Sequence, residues 1–385
     1  MKKNAFYIFI LIFILANIST KVMASDLDSE LIEEQMENFG ISDFIEETEN
    51  YSSDFFEDMS IADMLESAIS GEIDNSTIFK KILNLLGSEV TSTLTTLVGV
   101  LAIVLIHSIL KSLTDNLEGS NISQIIYYVQ YILIVTLIMA NFSDIISSIT
   151  DTIQNLVGFM NTLVPLLITL MMFTGSVTTS SLLEPIILFL IEFIGNIIVS
   201  LIVPTVSVIT ALIIISKISD KVQIGKLANF MKSSIVWILG IILTVFVGVV
   251  SLEGTLTSSV DGITAKTAKA AVSSLIPVVG KILGDSVDTI LGCGVILKNA
   301  IGIIGVIIVI GICIIPIIKL ATLSVMYSIS SAIIEPIADE KIVKLLGEMG
   351  GVFKILLAIL CSVSMLLIIG VTLVVKISNS AMMYK

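Results

Sequence analysis

The stretch Thr264–Gly302, TAKTAKAAVSSLIPVVGKILGDSVDTILGCGVILKNAIG, sets charged and turn-forming residues between long apolar runs. It carries Lys266, Lys269, Lys281, Asp285, Asp288 and Lys298, together with Pro277 and the glycines 280, 284, 292, 294 and 302. Irregular, charged backbone at membrane depth persists only where protein buries it or water lines it. We therefore read this stretch as the internal, functional part of a polytopic membrane protein. The competing reading is an ordinary extramembrane loop between two spans.

Composition supports the membrane class. Hydrophobic residues make up 55% of the 385 residues and charged residues only 14%, where a soluble domain carries about 25%. Mean hydropathy is +1.06. A chain of this length holds many spans of about 20 residues, and its expected class is an all-α polytopic integral membrane protein.

Residues 1–24 read as a secretory signal: Lys2 and Lys3, an apolar run from Ala5 to Ala16, then Val22-Met23-Ala24 before Ser25. Residues 25–80 form an acidic, extracytoplasmic segment. Between Asp26 and Asp74 there are seventeen acidic residues and no lysine, which accounts for the formal charge of −13. We expect residues 26–50 to be a solvated spacer. Ser60-Ile61-Ala62-Asp63 has capping-box spacing, and Ile61, Met64, Leu65, Ala68 and Ile69 recur at helical spacing. One short amphipathic helix is expected there.

The membrane body divides into a first span and cytoplasmic loop (81–121), a first repeat (122–232), a second repeat (233–354), and a last span with its tail (355–385). The first span, Thr93 to Leu110, holds the one histidine, His107. Each repeat runs span, polar tract, proline-interrupted block, lysine-rich loop, the order of a parallel internal duplication. Pro165 to Pro204 and Pro277 to Pro316 are both 39 residues apart (204 − 165 and 316 − 277). Pro165, Gly175, Glu184-Pro185 and Pro204 are expected to break the first block into short or re-entrant helices. The crossings after the signal number six or ten, depending on whether those pieces cross.

Positive-inside counting places Lys111, the loop from Lys217 to Lys232 and the loop from Lys341 to Lys354 in the cytoplasm. Both repeats then start and finish on that side, and the acidic segment and the C-terminal tail lie outside. Glu184 and Glu192 fall at i and i+8, close to one helical face. With Asp285, Asp288 and Lys298 they are the candidate pore or packing charges, since ionisable residues within spans mark pathways or buried pairs. Glu184 and Lys298 occupy nearly matching places in the two halves and are candidates for mutual neutralisation.

Gly280 and Gly284, and Gly347 and Gly351, have the spacing that lets helices approach closely. Cys293, Cys313 and Cys361 are widely spaced in apolar runs and read as small buried hydrophobes. We find no phosphate-binding glycine loop, dinucleotide fingerprint or zinc-protease motif. No catalytic, cofactor-binding or metal-ligating residue is assigned, no cofactor is expected, and the chain is read as not an enzyme.

The Thr264–Gly302 stretch, with the signal, the acidic segment and the polytopic body around it, resembles the stage III sporulation protein AE family of endospore-forming Firmicutes. The resemblance implies a subunit made in the mother cell and placed in its membrane around the engulfed forespore. It further implies a secretion-like channel assembly with the other stage III operon proteins and, across the intermembrane space, stage II sporulation protein Q, with no nucleic-acid partner. A secondary transporter or small-solute permease acting in sporulation is the alternative, with Glu184, Glu192 and Lys298 as its ion or substrate contacts.

Overall fold

The computed structural model describes residues 35–49, 51, 56, 60–70, 75–114, 120–218, 224–275 and 279–382, with backbone alone for parts of these, including 255–290. The expected signal therefore lies outside the described residues. Among the described residues there is no strand. Two short helices, α1 (Ile41–Glu49) and α2 (Ile61–Ser70), precede α3 (Asn75–Thr114) and α4 (Ser120–Phe173). Then follow α5 (Val177–Ile197), a π turn (Ile198–Ile202), α6 (Val203–Ile218), α7 (Gly225–Leu275), α8 (Val279–Ile334) and α9 (Glu340–Met382). Five continuous helical stretches are long and apolar enough to cross a membrane: Tyr127–Phe173, Val177–Ile218, Gly225–Gly254, Leu291–Ile334 and Glu340–Ile377. The protein is a multi-pass α-helical membrane protein.

These rods run alternately up and down between two ends. At one end Lys217 closing α6 and Lys232 opening α7 both approach Glu348 of α9, at 2.7 and 4.0 Å. Tyr127 and Tyr131 of α4 donate hydrogen bonds to the carbonyls of Lys217 (2.9 Å) and Ile214 (2.5 Å), and the Lys341 ammonium sits 5.8 Å from the Tyr127 ring. At the other end Gly294 of α8 abuts Phe173 and Thr174, and Gly302 abuts Val375 of α9. We call these the lysine end and the Gly175 end. The segments 122–232 and 233–354 both leave the lysine end and return to it.

Helix α8 is the centre. It is the most buried of the long apolar helices, with Val325, Ile329 and Ile333 exposed toward its C-terminal end. It packs most extensively on α9, and also on α2, α3 and α4. Along the α8–α9 seam, Gly347 and Gly350 face Ser331 and Ser328, and the Ser331 hydroxyl donates to the Val343 carbonyl at 2.8 Å. Gly351 instead points toward Lys232, so the close approach uses i and i+3 rather than the Gly347/Gly351 spacing. Cys293 and Cys313 are buried and Cys361 is half-buried, all as free thiols.

Three expectations change. First, prolines do not break the helices: Pro165, Pro185 and Pro316 sit inside α4, α5 and α8. Neighbouring helices and local adjustments accommodate the missing N–H in a membrane bundle. Before Pro204 the adjustment is the π turn, where the Val203 N–H reaches back to Ile198 O. The chain reverses instead at Gly175, whose φ of +93° is open to glycine alone at little strain. Pro165 lies inside α4 well before that turn, and Pro277 lies outside the described residues.

Second, the described parts of Thr264–Gly302, 264–275 and 279–302, are helical rather than irregular. Third, part of the acidic segment is not a solvated spacer. Ile41, Phe44 and Thr48 are buried, Phe44 faces Phe159 at 6.3 Å, and Phe39 meets Phe173 edge-on at 4.7 Å. The apolar positions i, i+3 and i+7 make one face for α4, while the acids occupy the other. Helix α2 forms where expected, capped by Ser60 Oγ accepting the Asp63 N–H at 3.4 Å, with Ile61, Leu65 and Ala68 turned to the bundle.

Candidate functional site: a polar groove on an apolar bundle

The outward face of α4 changes character along its length. Near the lysine end it exposes Ile125, Tyr128, Val129, Ile132, Leu133 and Leu137. Beyond Asn141 it exposes Asp144, Ser147, Asp151, Gln154, Asn155 and Asn161. Asp144, Ser147, Asp151 and Gln154 follow i, i+3, i+7, i+10 and form one stripe. The antiparallel α5 brings Glu192, Asn196 and Ser200, all exposed, alongside.

Between the two helices lies a cleft of about 330 Å³ whose polar lining is Gln154, Asn161, Glu192 and Asn196. Two glycines make room for it. At Gly195 the Val157 side chain fills the space a Cβ would need, 2.5 Å away, so α4 and α5 meet closely on the cleft floor. At Gly158 the ring of Tyr51 sits 2.7 Å from the same hypothetical atom, which brings the N-terminal segment to the cleft's edge. Ser200 Oγ donates to Asn196 Oδ1 at 2.8 Å and orients that amide. The result is one carboxylate among three amides, able to accept from a cation or an N–H and to donate through the amide nitrogens. Beside it α5 exposes Val177, Leu182, Phe189 and Phe193, the last two stacked at 5.6 Å.

Of the candidate charges, Glu184, Glu192 and Lys298 are not gathered into one site. Glu192 lines the cleft; Glu184, two turns away, is half-buried, lies outside the cleft and makes no ion pair with a described residue. Lys298 is fully buried in α8, between Gly294 and Gly302. Helix α5 packs on α4 and α7, while α8 packs on α9, α3 and α4, so the expected Glu184–Lys298 neutralisation does not form. Asp285 and Asp288 lie on the first turns of α8, and their side chains, like that of His107, are outside the described residues. Among the described residues no three His, Cys, Asp or Glu side chains converge as metal ligands would.

Gln154, Asn161 and Asn196 escaped the sequence reading, which weighed charges alone. Their signal is present: Glu192 and Asn196 are four apart, Gln154 and Asn161 seven apart, each pair on one helical face.

Comparison with known proteins identifies the family. Stage III sporulation protein AE matches residues 59–378 as a family. The stage III sporulation protein AE of Bacillus subtilis (strain 168) is 30% identical over 290 residues, covering 75% of this chain and 73% of that protein. No solved structure matches. An all-helical multi-pass bundle matched to one family from the acidic helix α2 almost to the end of α9 belongs to that family: the chain is a member of the stage III sporulation protein AE family.

Proposed function

We propose that this protein is a non-enzymatic membrane subunit of the channel complex joining mother cell and forespore after engulfment. It sits in the mother-cell membrane around the forespore and packs there against the other stage III operon proteins, with stage II sporulation protein Q reached across the intermembrane space. Its role in sporulation follows from the family. The observation that carries the channel-subunit reading is the α4–α5 face. Glu192, Gln154, Asn161 and Asn196 form an outward polar cleft beside the exposed Phe189–Phe193 pair. A mixed apolar and hydrogen-bonding face of this kind fits a neighbouring subunit. The partner helix would offer apolar side chains to Phe189 and Phe193, and a cationic or N–H donor to Glu192. Helix α4's stripe from Asp144 to Asp151, continuous with the cleft, supplies the wetted wall that a conduit between assembled subunits needs.

The secondary-transporter alternative required Glu184, Glu192 and Lys298 to converge on a midplane site, and these residues are spread over three separate environments. The deciding experiment replaces the chromosomal gene with Glu192→Arg, Asn196→Arg. Co-purification with the other stage III proteins should fall at least about tenfold, the factor that a loss of 1.4 kcal/mol at an interface centre produces. Spore yield should fall with it while protein level holds. Unchanged co-purification and spore yield would overturn the subunit reading.

A further inference from the structure

The rods are too long for the membrane they cross. Tyr127–Phe173 has 47 residues, Val177–Ile218 has 42 and Leu291–Ile334 has 44. At 1.5 Å per residue these are about 63–70 Å, against a hydrocarbon layer of about 30 Å. Tilt does not remove the excess, because even at the 40° limit of observed tilts a 66 Å helix rises about 50 Å. A section of the bundle therefore stands outside the hydrocarbon, and the outward side chains indicate which.

We infer that the bilayer surrounds only the lysine half of the bundle, and that the Gly175 half, belted by α1 and α2, stands in water on the extracytoplasmic side. Three independent features of the surface agree. Around the lysine half α4, α6, α7 and α8 turn apolar residues outward, Ile132 and Leu133 on α4, Val208 and Ile215 on α6, Phe230 and Trp237 on α7, Val325 and Ile329 on α8, while α9 turns out Lys344 and Lys354. In the Gly175 half α4 and α5 turn out Asp144, Asp151, Gln154, Asn155, Glu192 and Asn196, beside the exposed apolar side chains of Val177, Leu182, Phe189 and Phe193 on α5. The belt is docked on this half by Tyr51 on Gly158 and Phe39 on Phe173, while Phe56 sits at mid-length of α8, on Gly311 beside Ile307, Ile314 and Ile318. Its outer face, with Glu37, Asp43, Glu46, Glu47, Glu49, Asp63 and Glu66 exposed, has no place in hydrocarbon, where one carboxylate at mid-depth already costs about 2.5–3.5 kcal/mol.

The sidedness follows from charge. Lys217, Lys226, Lys232, Lys341 and Lys344 cluster at or near the lysine end, which positive-inside bias assigns to the cytoplasm. Helix α3 adds a sixth crossing: it exposes Leu94, Val98, Leu105, Ile106 and Ile109 outward and joins α4 at the lysine end. In this register the α4–α5 cleft and the Phe189–Phe193 pair lie beyond the membrane surface, so a partner reaches them from the aqueous space rather than through lipid. The inference rests on lengths and surface chemistry, not on the sporulation reading, and stands or falls separately from it.

The test uses the full chain reconstituted into phosphatidylcholine vesicles with brominated acyl chains. The protein has one tryptophan, Trp237, exposed on α7, so its fluorescence reports the lysine half directly. Two further probes on α4 are built on Trp237→Phe: Ile132→Trp and Asp151→Trp, about 28 Å apart along one helix. Trp237 and Ile132→Trp should be quenched by the lipid bromines and little by aqueous iodide. Asp151→Trp should show lipid quenching at least about threefold weaker, because that quenching requires contact with the roughly 30 Å hydrocarbon slab, and iodide quenching correspondingly stronger. Equal lipid quenching at Asp151→Trp and Trp237 overturns the proposal. Loss of lipid quenching at Ile132→Trp overturns it too, since it places the wrong half in water; Asn155→Trp, on the same stripe, repeats the reading should Asp151→Trp fail to fold.

Discussion

The Lys217 ammonium and a Glu348 carboxylate oxygen stand 2.7 Å apart and tie the end of α6 to the opening turns of α9. Lys232 of α7 approaches the other carboxylate oxygen at 4.0 Å. One acid thus holds two cations from two helices, and all three side chains are only partly exposed. Glu348→Ala leaves two like charges facing each other, half out of water. We expect it to lower stability by about 1–3 kcal/mol, between the values for exposed and buried pairs. Thermal unfolding in detergent checks this, and Lys217→Glu combined with Glu348→Lys should recover part of the loss.

Tyr127 and Tyr131 cap the same corner from α4. The Lys217 carbonyl lies in the last turn of α6, where carbonyls lack intrahelical partners, and the Tyr127 hydroxyl supplies one. Tyr127→Phe should cost about 1–3 kcal/mol, since it leaves that carbonyl unsatisfied next to the membrane. Tyr131→Phe should cost about 0.5–1.5 kcal/mol, because the Ile214 carbonyl is also positioned to accept within the helix. The order of the two effects, read by chemical unfolding, is the discriminating result.

A methyl group at Gly311 would overlap the Phe56 ring. Gly311→Ala should displace that ring, cost about 1–3 kcal/mol as overpacking does, and release α2 from α8. Limited proteolysis with a glutamate-specific protease should then cut the acidic segment faster. Adding Phe56→Ala should restore space at α8 but leave the segment undocked and protease-sensitive.

Lys298 is fully buried in α8. Lys298→Met keeps most of the side chain's volume without its charge, whereas Lys298→Ala should lose about 2–5 kcal/mol to the cavity. If Lys298→Met abolishes spore formation at normal protein level, the charge itself has a function. If spores form normally, only the side chain's volume matters.

The amphipathic helix at Ile61–Ser70 and its Ser60 cap were legible because both signals are local. Helix α1 was equally local but hidden: the acids between Asp26 and Asn50 dominated the composition, and Ile41, Phe44 and Thr48 were overlooked as a face. The candidate charges were legible as residues but not as a site. Glu192 joined a cleft, Lys298 went into the core, and Glu184 stayed apart from both, because pairing depends on which helices become neighbours. The prolines misled for a related reason. Isolated in sequence each signals a break, yet inside a bundle the surrounding helices supply what the missing N–H took away.

By itself the sequence determined the class and the family, because hydropathy and homology are carried by the chain without reference to its neighbours. The tertiary structure decided that paired short spans are continuous rods of double length, that the chain turns at Gly175, that the acidic segment belts the bundle, and that a polar cleft opens between α4 and α5. Those outcomes depend on which side chains meet at Gly158, Gly195 and Gly311, and contacts between residues far apart in the chain leave no periodic trace in either segment alone.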